Sequence, residues 1–168
     1  MTHFDIEIFR RVFQALLKGA EQQKPEVLER VERWMCQERT GLLLVGSVGT
    51  GKSTIAAAMC RCWSDLTTVA RYAQCDLIAD RIKQDESYKY EVALHKGLLV
   101  LDDLGTEATV YGQESLPFIL YRRYERSLPT IITTNLAREG ILQRYGERIA
   151  DRLRTYDQIT LNYPSLRR

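Results

Sequence analysis

The sequence predicts an α/β protein: a parallel sheet with helices on both faces. Three observations carry that expectation. Short apolar runs that read as fully buried strands recur along the chain, at residues 42–45, 98–101 and 129–133. Segments with apolar residues at helical spacing lie between them. The first run leads directly into a glycine-rich turn and a new helix, and the second ends in two aspartates, Asp102 and Asp103.

With 168 residues, 45% hydrophobic and 27% charged, the chain has the size and composition of one soluble globular domain. Its apolar runs fall far short of the ~20 residues that span a bilayer, and Met1-Thr2-His3-Phe4-Asp5 lacks the basic start of a signal peptide. A cytoplasmic protein with no membrane contact is expected. Cys36, Cys60, Cys62 and Cys75 form no C-x-x-C pair, and only His3 and His95 could join them. Reduced, buried thiols are therefore expected rather than a metal site or disulfides. The net charge of +2 is unevenly spread: Arg138, Arg144, Arg148, Arg152, Arg154, Arg167 and Arg168 outnumber Glu139, Glu147, Asp151 and Asp157. A locally basic end suits a polyanion, either nucleic acid or the triphosphate of a neighbouring subunit.

In chain order, Ile8, Phe9, Val12, Phe13, Leu16 and Leu17 repeat at helical spacing until Gly19. Pro25 then opens a second helix through Val27, Leu28, Val31, Trp34 and Met35. Residues 1–38 are thus expected as an N-terminal helical segment, too short for a domain of its own, ahead of a domain over 39–168. Its helices either pack on that domain or, for the first, dock on a partner. Residues 42–45 are the first strand and 52–63 its helix; 67–72 read as the second strand. A helix over 75–84 carries Leu77, Ile78 and Ile82, and 97–101 form the third strand. A helix over 113–127 has Leu116, Ile119, Leu120 and Tyr124 on one face. The fourth strand at 129–133, short helices near 138–143 and 145–153, and a last strand at 158–161 complete the alternation.

Gly46-Ser47-Val48-Gly49-Thr50-Gly51-Lys52-Ser53 has the spacing G-x-x-x-x-G-K-S of the phosphate-binding loop, Walker A. The glycines can adopt angles closed to other residues, so successive N–H groups turn inward on one anion, with the positive end of the following helix aimed at it. Gly46, Ser47, Val48, Gly49, Thr50, Gly51, Lys52, Ser53 and Thr54 are the candidate site for ATP. Lys52 supplies a cation for the β- and γ-phosphates, and the Ser53 hydroxyl a ligand for Mg²⁺. Asp102, at the end of a buried strand, can hold Mg²⁺ as in a Walker B motif, and Asp103 can orient the attacking water; otherwise the pair is a solvated acidic turn. Asn135 reaches the γ-phosphate if the fourth strand lies between the first and third, with a helix N-cap as its other role. In Gly146-Glu147-Arg148-Ile149-Ala150-Asp151-Arg152-Leu153-Arg154, Arg148 and Arg152 share a helix face. Arg148 could pair with Asp151 and be structural, or an arginine here could reach the next subunit's γ-phosphate.

Together GSVGTGKS, the Walker B run followed by Leu104-Gly105, the Thr133-Thr134-Asn135 segment and GERIADRLR resemble AAA+ ATPases of the DnaC/IstB kind, the bacterial helicase loaders and transposition regulators. The resemblance covers roughly residues 38–168. It implies a five-stranded P-loop sheet in order 5-1-4-3-2, no separate lid domain, and nucleotide held between subunits assembled head to tail. By position it implies Lys52 and Ser53 on phosphate and Mg²⁺, Asp102 on the metal, Asn135 as sensor 1, Arg152 as arginine finger and Arg167 as sensor 2. Family members bind single-stranded DNA after Walker B, where Thr109, Tyr111 and Gln113 lie; Tyr111 either stacks on a base or sits in the core. Many AAA+ proteins have Asp-Glu where this chain has Asp102-Asp103, and the usual N-terminal helicase- or DNA-binding region is nearly absent.

The expected function is that of a slow ATPase in DNA replication, loading a replicative helicase on single-stranded DNA. The alternatives are a transposition regulator with a transposase as partner, and an ATP-dependent assembly module with negligible turnover. A small-molecule kinase would carry an arginine-rich lid between the later strands; here the arginines fall in the finger-like helix instead.

Overall fold

The computed structural model describes residues 25–37, 40–66, 69–107, 110–162 and 164, with backbone alone at 64–66 and 110–113. It also describes Glu7, Arg10, Arg11 and Ala15, all helical. The rest of the helix expected from Ile8 to Leu17 lies outside the described residues, as do Thr67, Thr68, Thr109 and Arg167. In order come α1 (Pro25–Cys36), β1 (Gly41–Gly46), α2 (Lys52–Leu66), β2 (Arg71–Gln74), α3 (Cys75–Gln84) and α4 (Tyr88–Leu94). Then follow β3 (Leu99–Leu104), α5 (Val110–Glu125), β4 (Thr130–Thr134), α6 (Arg138–Tyr145), α7 (Glu147–Leu153) and β5 (Asp157–Leu161).

The five strands form one parallel sheet in the order β2-β3-β4-β1-β5, the order expected. Because strand side chains alternate, each apolar run supplies both faces. Leu42, Leu44, Leu98, Val100, Ile131 and Ile159 pack with Ile55, Ala56 and Met59 of α2 and with Val27, Val31, Trp34 and Met35 of α1. Leu43, Leu99, Leu101 and Ile132 pack with α3 to α7. α1 is thus part of the core; its Trp34 indole donates to the Gly41 carbonyl at 3.1 Å. Arg10 reaches α1 as well, making a two-pronged pair with the buried Glu32 carboxylate at 2.8 and 2.9 Å. Arg30 of α1 donates to the Gln158 carbonyl of β5 at 2.6 Å.

Several details depart from expectation. β2 starts at Arg71, after Val69 and Ala70, because its extent is set by pairing with Leu99–Asp102 of β3. α4 was not expected; it is a short helix that buries only Tyr88, Val92 and Ala93. Leu77 points outward from α3 (59% exposed), as does Tyr124 from α5 (37%). Cys60, Cys62 and Cys75 are buried free thiols, while Cys36 is exposed. The buried face of α5 instead runs through Leu116, Ile119, Leu120 and Arg123. Arg123 is fully buried and donates to Thr130 Oγ1 (2.9 Å) and to the carbonyls of His95 (2.7 Å), Gly97 (3.1 Å) and Pro129 (2.8 Å). Burial lowers its pKa to about 10. Among the described residues no helix is long and apolar enough to cross a membrane.

Candidate nucleotide site

The phosphate loop joins β1, an interior strand, to α2. Gly49 and Gly51 adopt φ of 83° and 89°, in the left-handed region that favours glycine. Gly46 is constrained differently: a Cβ there would lie 2.5 Å from the Leu161 carbonyl oxygen of β5. Thr50 is buried and donates from its hydroxyl to Ser47 O at 2.9 Å, closing the turn. Lys52 is 4% exposed, and its ammonium donates to Gly46 O (2.9 Å) and Ser47 O (2.8 Å). That is a buried cation folded into a cradle of backbone, at the head of a helix whose positive end adds to it. Ser47 and Val48 are exposed on the rim, Ser53 is half-buried and Thr54 exposed. These residues fit a phosphate chain.

Asp102 is buried on β3 and accepts a hydrogen bond from the Thr133 hydroxyl of β4 at 2.6 Å. The same oxygen of Thr133 accepts from the Asp103 N–H at 2.8 Å. One β4 threonine therefore fixes both aspartates. Asp103 sits at φ 55° beside an irregularity in the β3–β4 ladder, and the ladder resumes at Leu104. A non-glycine residue held at positive φ is uncommon and costs of order 1 kcal/mol or more, which the surrounding bonds must offset. Across the site Tyr72 of β2 brings its phenol within hydrogen-bonding reach of both Asp102 and Ser53. Burial, then Asp102 and Asp103, raise its pKa. Tyr72 thus lies beside both Ser53 and Asp102, the expected Mg²⁺ ligands. No cluster of three or more His, Cys, Asp or Glu that could hold a metal occurs among the described residues; a Ser–Asp pair completed by phosphate oxygens needs none.

β4 does lie between β1 and β3. Asn135 follows its last residue at the strands' carboxyl end and is exposed. It is not a helix cap: α6 is preceded by Ala137, with no side-chain cap. Arg152 lies elsewhere, on α7. Its guanidinium stacks 4.7 Å from the ring centre of Tyr121 and 5.4 Å from that of Tyr124, both on α5. Arg148 stacks on the same Tyr121 at 4.1 Å. The Arg148–Asp151 pair, one of the two readings of this helix, does not form; Asp151 meets Arg154 at 3.5 Å instead.

Besides Thr133 and Tyr72, the sequence reading missed Glu107. It is fully buried and accepts from the Gly105 N–H (3.0 Å), Arg144 Nε (3.0 Å) and the Tyr145 hydroxyl. Its own carbonyl accepts from Arg144 as well. The turn after β3 is thereby fastened to α6.

No protein-family model matches the chain, and no curated protein matches its sequence. Among solved structures it is similar to the DnaC helicase loader, with TM-score 0.70 and 24% identity, covering 83% of this chain and 89% of that one. It is similar to DnaI with TM-score 0.71 and 22% identity, covering 94% and 93%. The chain shares the fold of these proteins. A third neighbour is the replication initiator DnaA bound to AMPPCP and single-stranded DNA, at TM-score 0.70 and 16% identity. There the match covers 83% of this chain but 46% of the initiator.

Proposed function

We propose that this chain is an ATP- and Mg²⁺-dependent AAA+ switch of the helicase-loader type, acting in DNA replication on single-stranded DNA and a replicative helicase. The observation that carries the reading is the extent of the likeness. The chain matches 89% and 93% of the two loader-type neighbours, against 46% of the initiator. The ending GERIADRLR supports the same choice.

In this reading the loop from Gly46 to Thr54 holds the triphosphate, and Lys52 neutralises its β- and γ-oxygens. Ser53 and Asp102 hold Mg²⁺, which supplies further charge neutralisation when bound. Asp103 orients the attacking water, Asn135 positions it against the γ-phosphate, and Arg152 serves the site of the adjoining subunit. Arg167 is assigned as sensor 2, and the segment with Thr109, Tyr111 and Gln113 faces DNA. A second reading, an assembly module with negligible turnover, is favoured by Asp103 standing where a longer glutamate is usual. A transposition regulator would be the same machine with a transposase as partner.

The test is ATPase rate per subunit against protein concentration, with and without single-stranded DNA, for the wild type and Arg152→Ala. The expected rate climbs with concentration, and the variant loses about tenfold or more, since one such arginine contributes up to 10³–10⁵ in other phosphoryl-transfer sites. A rate independent of both concentration and the substitution sinks the intersubunit site. No turnover under any condition, with ATP still bound, selects the assembly module.

Thr133→Val tests the aspartate arrangement. It keeps the shape but removes the donor to Asp102 and the acceptor for Asp103 N–H, costing about 1–3 kcal/mol. We expect about tenfold slower turnover at nearly unchanged ATP affinity, since the loop itself is untouched. An unaltered turnover number would show that Asp102 and Asp103 need no such support.

A further inference from the structure

Arg152 is held in an unusual way for a surface arginine. Among the described residues no carboxylate pairs with it, and none pairs with Arg148. Its Nε is buried with no hydrogen-bond partner, and one terminal nitrogen donates to the Arg148 carbonyl at 2.7 Å. What supports the guanidinium is aromatic: Tyr121 at 4.7 Å and, farther off, Tyr124 at 5.4 Å. Tyr121 is half-buried and packs against the core below α5, so its ring is fixed from behind.

A carboxylate would pin the arginine and cancel its charge. A ring face attracts the cation through its quadrupole, orients its plane, and leaves the charge available to an incoming anion. Tyr121 also carries Arg148 on its ring at the shorter distance of 4.1 Å. Two like charges on one ring repel, which weakens the hold on the more loosely seated Arg152. Arg152 is therefore oriented but not neutralised, and releasing it costs little.

We propose that Tyr121 is a positioning residue for Arg152, presenting its guanidinium to a phosphate anion brought by a second copy of this chain. This rests on the intersubunit reading of Arg152 above. Tyr121 itself touches no nucleotide; it acts only through the arginine.

The test uses the full chain at concentrations where the wild-type rate per subunit has levelled off, and compares Tyr121→Leu, Tyr121→Phe and Arg152→Ala. Tyr121→Leu is expected to lower the turnover number by about threefold to thirtyfold, the range that one cation–π contact spans, with KM for ATP within twofold. Tyr121→Phe keeps the ring face and should restore the rate to within about twofold. Should Tyr121→Leu fail to fold, progressively fluorinated phenylalanines at this position keep the ring's shape while emptying its negative face, and the rate should fall stepwise. A wild-type rate in Tyr121→Leu, an equal loss in the leucine and phenylalanine variants, or a flat response to fluorination overturns the proposal. If Arg152→Ala slows turnover and Tyr121→Leu does not, only the platform is lost. If Arg152→Ala has no effect, the intersubunit reading and the platform fall together.

Discussion

Replacing Lys52 with methionine is expected to remove ATP turnover and most ATP binding. The ammonium is almost wholly enclosed by the loop, and its hydrogen bonds to Gly46 O and Ser47 O hold it on the concave side of the turn. No other lysine or arginine lies between Gly46 and Arg61 to take its place. Charge-assisted hydrogen bonds contribute about 1.5–3 kcal/mol, so binding should weaken by about tenfold to a hundredfold. Turnover should fall further, by about 10²–10³, because the cation also answers charge that develops during transfer. Methionine preserves the aliphatic stem, and the melting temperature should move by only a few degrees. Nucleotide titration with a fluorescent ATP analogue and a phosphate-release assay make the measurement. Retention of more than about a tenth of wild-type turnover would show that the loop does not work through this lysine.

Arg123→Met should give the largest loss of stability. Arg123 is a fully enclosed cation whose acceptors are a hydroxyl and carbonyls rather than a carboxylate. They belong to the turn after α4, the residues just before β4, and the first residue of β4. One planar fork thus sets where two neighbouring strands begin. Methionine fills much of the volume but removes the arginine donor from the carbonyls of His95 and Gly97 and from Thr130 Oγ1, at about 1–3 kcal/mol each before relaxation, while the Pro129 carbonyl keeps the Leu99 N–H at 3.0 Å. A net cost of at least about 3 kcal/mol, or roughly 10 °C in melting temperature, is expected for a chain of this size. Arg123→Lys should recover little, since a single ammonium cannot serve acceptors spread along a fork. Thermal and urea unfolding read the effect; a shift below about 2 °C would mean that the network is incidental.

Arg123 also shows where reading the sequence stops. The stripe Leu116, Ile119, Leu120 continues at helical spacing to position 123, but arginine is seldom fully buried, and Tyr124 was the natural substitute. The helix kept its period and buried the arginine. Tyr124, turned outward, became available to Arg152. The glycine-rich turn after β1, the buried strands and the position of two aspartates on β3 were legible because each is a local pattern. Strand β2 was misplaced at its start because Arg71–Gln74 has little apolar signal and takes its extent from β3. The roles of Thr133 and Glu107 escaped notice because they depend on partners 30 to 38 positions away. No local window contains both halves of such a contact.

The two outermost strands bear on how copies of the chain can join. β2 is four residues long, and Arg71 at its head is engaged by Glu91 at 2.9 Å and the Tyr88 hydroxyl at 2.6 Å. At the other margin, the β5 carbonyl of Gln158 is already occupied by Arg30. A brief strand beside an arginine, and a margin partly capped by a helix, are poor templates for adding a strand from another molecule. Assembly by extending the sheet is disfavoured at both ends. Copies that associate must meet through helices, loops and side chains, surfaces that part again more readily than a shared ladder of backbone hydrogen bonds.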